Sequence, residues 1–106
     1  MDSQTRIDFS KFEISKALKE GEIIDVRTTV EFARGHVEGA KSFPYTRIKD
    51  KILQLPRDRK LFIHCGTGRR AALAASFLSS EGFQTVHVDG TCSECEKIAQ
   101  IEGILH

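Results

Sequence analysis

The feature that most constrains this chain is a rhythm. Short apolar runs of strand length alternate with stretches of helical periodicity, and Gly or Pro closes most of them. Ile7–Phe9 reads as a short first strand. Ser10 is placed to cap a helix over about Lys11–Glu20, with Phe12, Ile14, Ala17 and Leu18 at near-helical spacing and Gly21 as its stop. Glu22–Val26 reads as a buried strand. Thr28 or Thr29, followed by Val30–Arg34, predicts a short helix with Glu31 as its early carboxylate. Gly35 and Gly39 bracket a turn, and Ala40–Phe43 reads as a short strand ended by Pro44. Arg47–Leu55 places Ile48, Ile52 and Leu55 on one helical face before Pro56 stops it. Lys60–His64 is the next strand, and Cys65–Arg69 a loop. Arg70–Glu81 follows as a helix, with Ala71, Leu73, Ala74, Phe77 and Leu78 inward and Gly82 at its end. Gln84–Val88 is a last strand, and Asp89-Gly90 turns into a helix over about Thr91–Gln100.

Strands alternating with helices predict an α/β fold, a parallel sheet covered on both faces. In such sheets ligands bind beyond the carboxyl ends of the strands. The residue immediately beyond Lys60–His64 is Cys65.

At 106 residues the chain is expected to be one domain over 1–106, with a core that needs neither disulfide nor metal. A net charge of +1 gives no bulk attraction to nucleic acid or to an anionic membrane. No apolar run approaches the roughly 20 residues of a bilayer span, and the opening Met-Asp-Ser-Gln-Thr-Arg has no apolar signal region. Three cysteines, an odd number, fit a disulfide framework poorly. The expectation is a cytoplasmic protein with reduced thiols and no cofactor.

The segment His64-Cys65-Gly66-Thr67-Gly68-Arg69-Arg70 holds the chemistry. A loop between a strand end and a helix start aims several backbone N–H groups into one concavity, at the positive end of the helix dipole. Gly66 and Gly68 are expected to permit unusual backbone angles and close approach. Arg69 and Arg70 add positive charge. All of this favours an anion. An ordinary cysteine is only a few per cent thiolate at pH 7, and helix N-termini with nearby cations raise that fraction. Cys65 is therefore read as a nucleophile, against the plainer alternative of an inert buried thiol.

Two motifs resemble the rhodanese family. One is Ile24-Asp25-Val26-Arg27, then Glu31-Phe32, Gly35-His36-Val37-Glu38-Gly39-Ala40 and Phe43-Pro44. The other is the Cys65–Arg70 loop, similar to the family's Cys-x-x-Gly-x-Arg loop. The resemblance runs from about Ile7 to Gln100. It implies a single domain with a five-stranded, mainly parallel sheet and helices on both faces. It also implies a sulfurtransferase of the thiosulfate type. A small-molecule donor such as thiosulfate would load Cys65 as a persulfide, and cyanide, a small thiol or a protein thiol would unload it. Gly66, Thr67, Gly68, Arg69 and Arg70 would cradle the outer sulfur. Arg70 would brace the loop by pairing with a carboxylate, with Glu31 as partner. Asp25 and Arg27 match structural residues near the pocket, and His36 one that fixes a turn. His64, in the strand before Cys65, is expected to point away from the pocket.

Two positions depart from the family. Many thiosulfate-using relatives carry a basic residue after the cysteine, where this chain has Gly66. Gly90 is followed by Thr91 rather than by a second Gly and an aromatic residue, and the chain has no Trp.

The rival classes are a non-catalytic or relay sulfur-carrier module and a Cys-dependent phosphatase or arsenate reductase. The last two use Cys-x5-Arg loops, whereas Cys65 to Arg70 is Cys-x4-Arg, a cradle better sized for one sulfur than for a phosphoryl group. Cys92 and Cys95 share a helix face behind a Thr91/Glu94 capping box. They read as incidental thiols, as a sulfur relay from Cys65, or as half of a metal site that has no second half.

Overall fold

The computed structural model describes residues 5–66 and 69–90. Strands β1 (Thr5–Asp8), β2 (Gly21–Asp25), β3 (Lys41–Ser42), β4 (Lys60–His64) and β5 (Thr85–Asp89) form one sheet in the order β1-β5-β4-β2-β3. Every pairing is parallel. Helices α1 (Ile14–Glu20), α2 (Thr29–Arg34) and α3 (Arg69–Ser80) lie between strands. This is the predicted α/β architecture, with the sheet wholly rather than mainly parallel. No described helix is long and apolar enough to cross a membrane.

Parallel strands buried on both faces need apolar side chains on both, and β2 and β4 supply them by alternation. Ile24, Leu61 and Ile63 face one layer with Ala71, Ala74, Ala75 and Leu78 of α3. Ile23, Phe62 and Val88 face the other with Phe9, Ala17 and Val37. Gly21 opens β2 because a Cβ there would sit 1.9 Å from the Lys60 carbonyl oxygen of the adjacent strand. Gly82 closes α3 with φ +91°, donating to the Ser79 carbonyl while Phe83 donates to Leu78, the hydrogen bonds of a Schellman cap.

The structure corrects several expectations. Ser10 does not cap α1. Asp8 accepts hydrogen bonds from the Ser10 N–H and hydroxyl, and the chain makes a 3₁₀ turn over Phe9–Lys11. That turn buries Phe9 and brings its ring 5.8 Å from Phe12, so α1 starts only at Ile14. Arg47–Leu55 is not an α-helix. Its hydrogen bonds run three residues back, from Arg47 to Pro44 through Leu55 to Ile52, with a 3₁₀ turn at Ile52–Gln54. The connection from β3 to β4 is thus a run of tight turns rather than one regular helix. Ile48 and Leu55 are nevertheless buried, so the apolar face is the one their spacing predicts and only the helix type differs. Leu73, predicted inward, is 60% exposed, because Ala71, Ala74, Ala75 and Leu78 already fill the sheet-facing side of α3. The helix expected over Thr91–Gln100 lies outside the described residues.

Candidate active site

Asp25 and His64 end β2 and β4 in register, and pairing goes one step further because the Val26 N–H donates to the His64 carbonyl (3.0 Å). Cys65 comes next, at the carboxyl edge of the sheet. Its side chain lies on the α3 side and is fully buried. The Ala71 N–H, one of the first-turn donors of α3 that have no helical acceptor, donates to Cys65 Sγ at 3.3 Å. The sulfur thus meets the positive end of the α3 dipole. Gly66 follows without positive φ, so unusual backbone angles are not what selects glycine there. A Cβ at Gly66 would lie 3.7 Å from Arg70 Nη2 and 4.0 Å from Arg27 Cδ, at ordinary contact distance between two guanidinium-bearing side chains.

Asp25 and Arg27 form a buried pair beside this loop. Asp25 is fully buried and accepts from the Arg27 backbone N–H (2.9 Å), from Nε (3.0 Å) and from Nη2 (2.7 Å). Arg27 Nη2 also donates to the Gly35 carbonyl (2.7 Å), tying the end of β2 to the end of α2. His64 stands opposite Asp25 in register, 3.9 Å from its carboxylate, with its ring edge against Phe9. Burial drives the His64 imidazole toward its neutral form; the Asp25 charge opposes this and the Arg27 charge reinforces it. His64 therefore lies on the face away from the Cys65 thiol, as strand alternation requires.

Helix α2 exists to hold Glu31. Thr28 Oγ1 accepts the Glu31 N–H (3.1 Å) and Glu31 Oε1 accepts the Thr28 N–H (3.2 Å), a reciprocal capping box. Glu31 then meets Arg70 in a two-pronged pair, Nη1 to Oε1 at 2.7 Å and Nη2 to Oε2 at 3.1 Å. The pair ties the first turn of α3 to α2. Arg70 is held charged, by Glu31 first, with the fields of Cys65 and Asp25 adding to it. His36 stacks on Phe32 at 3.8 Å, and its Nδ1 lies 2.8 Å from the Phe32 carbonyl oxygen, where it fixes the exit of α2.

The Arg70 hydrogen bonds hold the Glu31 carboxyl at about 2, well below 4.5; partial burial opposes them and the Thr28 donors assist. The stabilisation is therefore complete above 4.5 and drains as pH falls through about 2. The stability difference between the native protein and Glu31→Gln should be constant above pH 4.5 and close toward pH 2. Chemical denaturation across that range checks it. A gap that persists unchanged in strong acid would mean Glu31 acts through packing rather than charge.

The structure brings Cys65, Gly66, Arg70, Asp25, Arg27 and Glu31 into one neighbourhood. Arg69 is exposed at the start of α3, and His36 braces α2. Thr67, Gly68, Cys92 and Cys95 lie outside the described residues. Two supporting groups were not foreseen: the Gly35 carbonyl that receives Arg27, and Phe32 as the platform for His36. The i, i+4 spacing of Phe32 and His36 was the available signal for the second.

A family model described as the rhodanese-like domain matches residues 10–94. A sulfurtransferase of Allochromatium vinosum is 31% identical over 64 residues, covering 60% of each chain. A tRNA uridine(34) hydroxylase of Cronobacter sakazakii is 30% identical over 88 residues, which are 76% of this chain and 25% of that one. The match thus spans less than two thirds of either relative. The crystal structure of a rhodanese-related protein from Thermoplasma volcanium superposes with a TM-score of 0.73 at 27% identity, covering 93% of both chains. With a wholly parallel five-stranded sheet, the cysteine at the end of its β4 and a family match over most of its length, the chain belongs to the rhodanese-like domain family.

Proposed function

We propose that this chain is a sulfurtransferase that carries sulfane sulfur on Cys65. The supporting observation is the seat of Cys65 Sγ against the first-turn N–H of Ala71, beside the Arg70–Glu31 brace. A thiolate there attacks the outer sulfur of a donor such as thiosulfate. The S–S bond of the donor breaks, sulfite leaves with its electron pair, and Cys65 is left as a persulfide. The backbone N–H groups of Gly66, Thr67, Gly68, Arg69 and Arg70 then receive the anionic outer sulfur. Cyanide or a thiol removes it and regenerates the Cys65 thiolate. No cofactor, nucleic acid or membrane takes part, and a reducing compartment such as the cytoplasm suits the free thiol.

Incubation with thiosulfate should raise the intact mass by one sulfur atom, located by peptide mapping on Cys65 and discharged by cyanide. Sulfur found first on Cys92 or Cys95, or on no cysteine, overturns the assignment. A second reading, a carrier module that unloads only to a partner thiol, is favoured by the full burial of Cys65. In it Cys92 or Cys95 could serve as the relay. Slow discharge by cyanide but fast discharge by a protein thiol would select this reading over independent turnover.

A further inference from the structure

We infer that the groove between α3 and the segment following β3 is the docking track for the sulfur acceptor, a protein segment that is acidic, carries an apolar anchor and brings a cysteine to Cys65. The inference rests on the sulfur-transfer reading of Cys65.

The track runs along the exposed side of α3. Arg69, Leu73 and Phe77 recur every four residues on α3 and share one face. Tyr45, Ile48 and Lys49 form the facing wall, and the space between them is a cavity of about 340 Å³. A second cavity of about 340 Å³ continues beyond Thr46, which lines both, between Thr28 and Lys51. Leu73 is 60% and Tyr45 38% exposed, so an apolar strip faces water here without covering any part of the core. Leu73 lies one helical turn, about 6 Å, from Arg69. A residue anchored on Leu73 therefore has neighbours within reach of Arg69, where α3 begins.

Charge decides the occupant. The Lys49 ammonium rests 5.5 Å above the Phe77 ring and that of Lys51 5.9 Å above Phe43. Among the described residues neither lysine has a carboxylate partner. Arg47 has Asp50 at 3.8 Å, both side chains well exposed. Arg69 stands at the loop end. Among the described residues, then, Arg47, Lys49 and Lys51 line the two cavities, with Asp50 the carboxylate beside Arg47, and Glu31 nearby is already held by Arg70. Apolar contacts at the base and the Lys49 and Lys51 ammonium groups along the rim complement an acidic segment with an aliphatic side chain. A small anion would leave the Leu73 and Tyr45 strip uncovered.

The step itself is balanced. The acceptor thiolate attacks the outer sulfur of the Cys65 persulfide. The bond from that sulfur to Sγ breaks, its electron pair stays on Sγ as thiolate, and the acceptor departs as a persulfide. Nothing is oxidised overall.

The test uses the full chain loaded with thiosulfate and three acceptors. These are a synthetic peptide with one cysteine, one leucine and flanking glutamates, the same peptide with lysines for the glutamates, and 2-mercaptoethanol. The acidic peptide should be sulfurated about tenfold faster than the basic one, with the ratio shrinking as salt rises. Leu73→Ser and the pair Lys49→Glu with Lys51→Glu should each slow the acidic peptide severalfold and leave 2-mercaptoethanol unchanged. Equal rates for the two peptides, or indifference to these substitutions, overturn the inference. So does a dimer in sedimentation that Leu73→Ser converts to monomer, which would give the track to a second copy. Binding of a labelled Cys→Ser acidic peptide to unloaded protein keeps the two readings apart. If Cys65 never loads, sulfur transfer fails, and this binding still decides whether the track takes an acidic segment.

Discussion

Cys65→Ser protein should transfer sulfur from thiosulfate to cyanide more than about a thousandfold more slowly than the native chain, the scale on which loss of a covalent nucleophile reads. Serine cannot stand in for the thiolate: its hydroxyl is not ionised near neutrality, and it has no S–S bond to form or break. The fold should survive. Cys65 is buried, but serine has nearly the same shape, and its oxygen can accept the Ala71 N–H that now reaches Sγ. Activity and unfolding midpoint therefore separate, one collapsing and the other moving little. Cys65→Ala is the companion, since it removes the acceptor as well and should cost stability without restoring activity. Retention of more than about a tenth of the rate by either variant would sink the nucleophile assignment. Cys92→Ser and Cys95→Ser read a different quantity. If one of them blocks delivery while Cys65 still loads, the relay reading gains its carrier.

Arg27→Ala should be the most destabilising single change near the site, at about 3–5 kcal/mol, because it strands a buried carboxylate. Asp25 has no exposed surface, and most of its hydrogen bonds come from the Arg27 side chain. Without that side chain the carboxylate keeps the backbone N–H of residue 27 and faces the buried His64 ring across the strand. The bond to the Gly35 carbonyl goes too, which frees the exit of α2 and with it the Glu31 brace. For a domain whose total stability is of order 5–15 kcal/mol this is a large share. Urea unfolding of the unloaded protein measures it, with an unchanged slope if the transition stays two-state. Arg27→Lys should fall between, keeping the charge and losing the fork. A loss below about 1 kcal/mol would mean that water reaches Asp25 once the guanidinium is gone.

The rhythm of strand and helix, the Cys65 loop at the end of a strand and a threonine-capped helix with Glu31 in its first turn were all legible in the sequence, because each depends on residues close together in the chain; the structure selects Thr28 over Thr29 as the cap. Alternation within β4 was enough to send His64 and Cys65 to opposite faces. The misread segments have a common cause. At Ser10 and at Arg47–Leu55 the local pattern suited a helix, but the burial of Phe9 in one case and of Ile48 and Leu55 in the other comes with 3₁₀ turns. Leu73 has helical spacing from Leu78's face only approximately, and the small alanines beside it settle which side of α3 meets the sheet.

Cys65 thus illustrates the division between the two levels. By itself the sequence determined that a thiol stands where a parallel strand hands over to a helix N-terminus, since strand periodicity and helix start signals are local properties of the chain. The Arg70–Glu31 pair across 39 residues was expected from the family resemblance, but only the tertiary structure decided that this thiol is fully buried and that Asp25, Arg27 and Gly35 lock together behind it. The same holds for the cation-rimmed track, whose walls come from α3 and from the segment after β3. Those contacts join parts of the chain distant in sequence, and they exist because both layers must close over one parallel sheet.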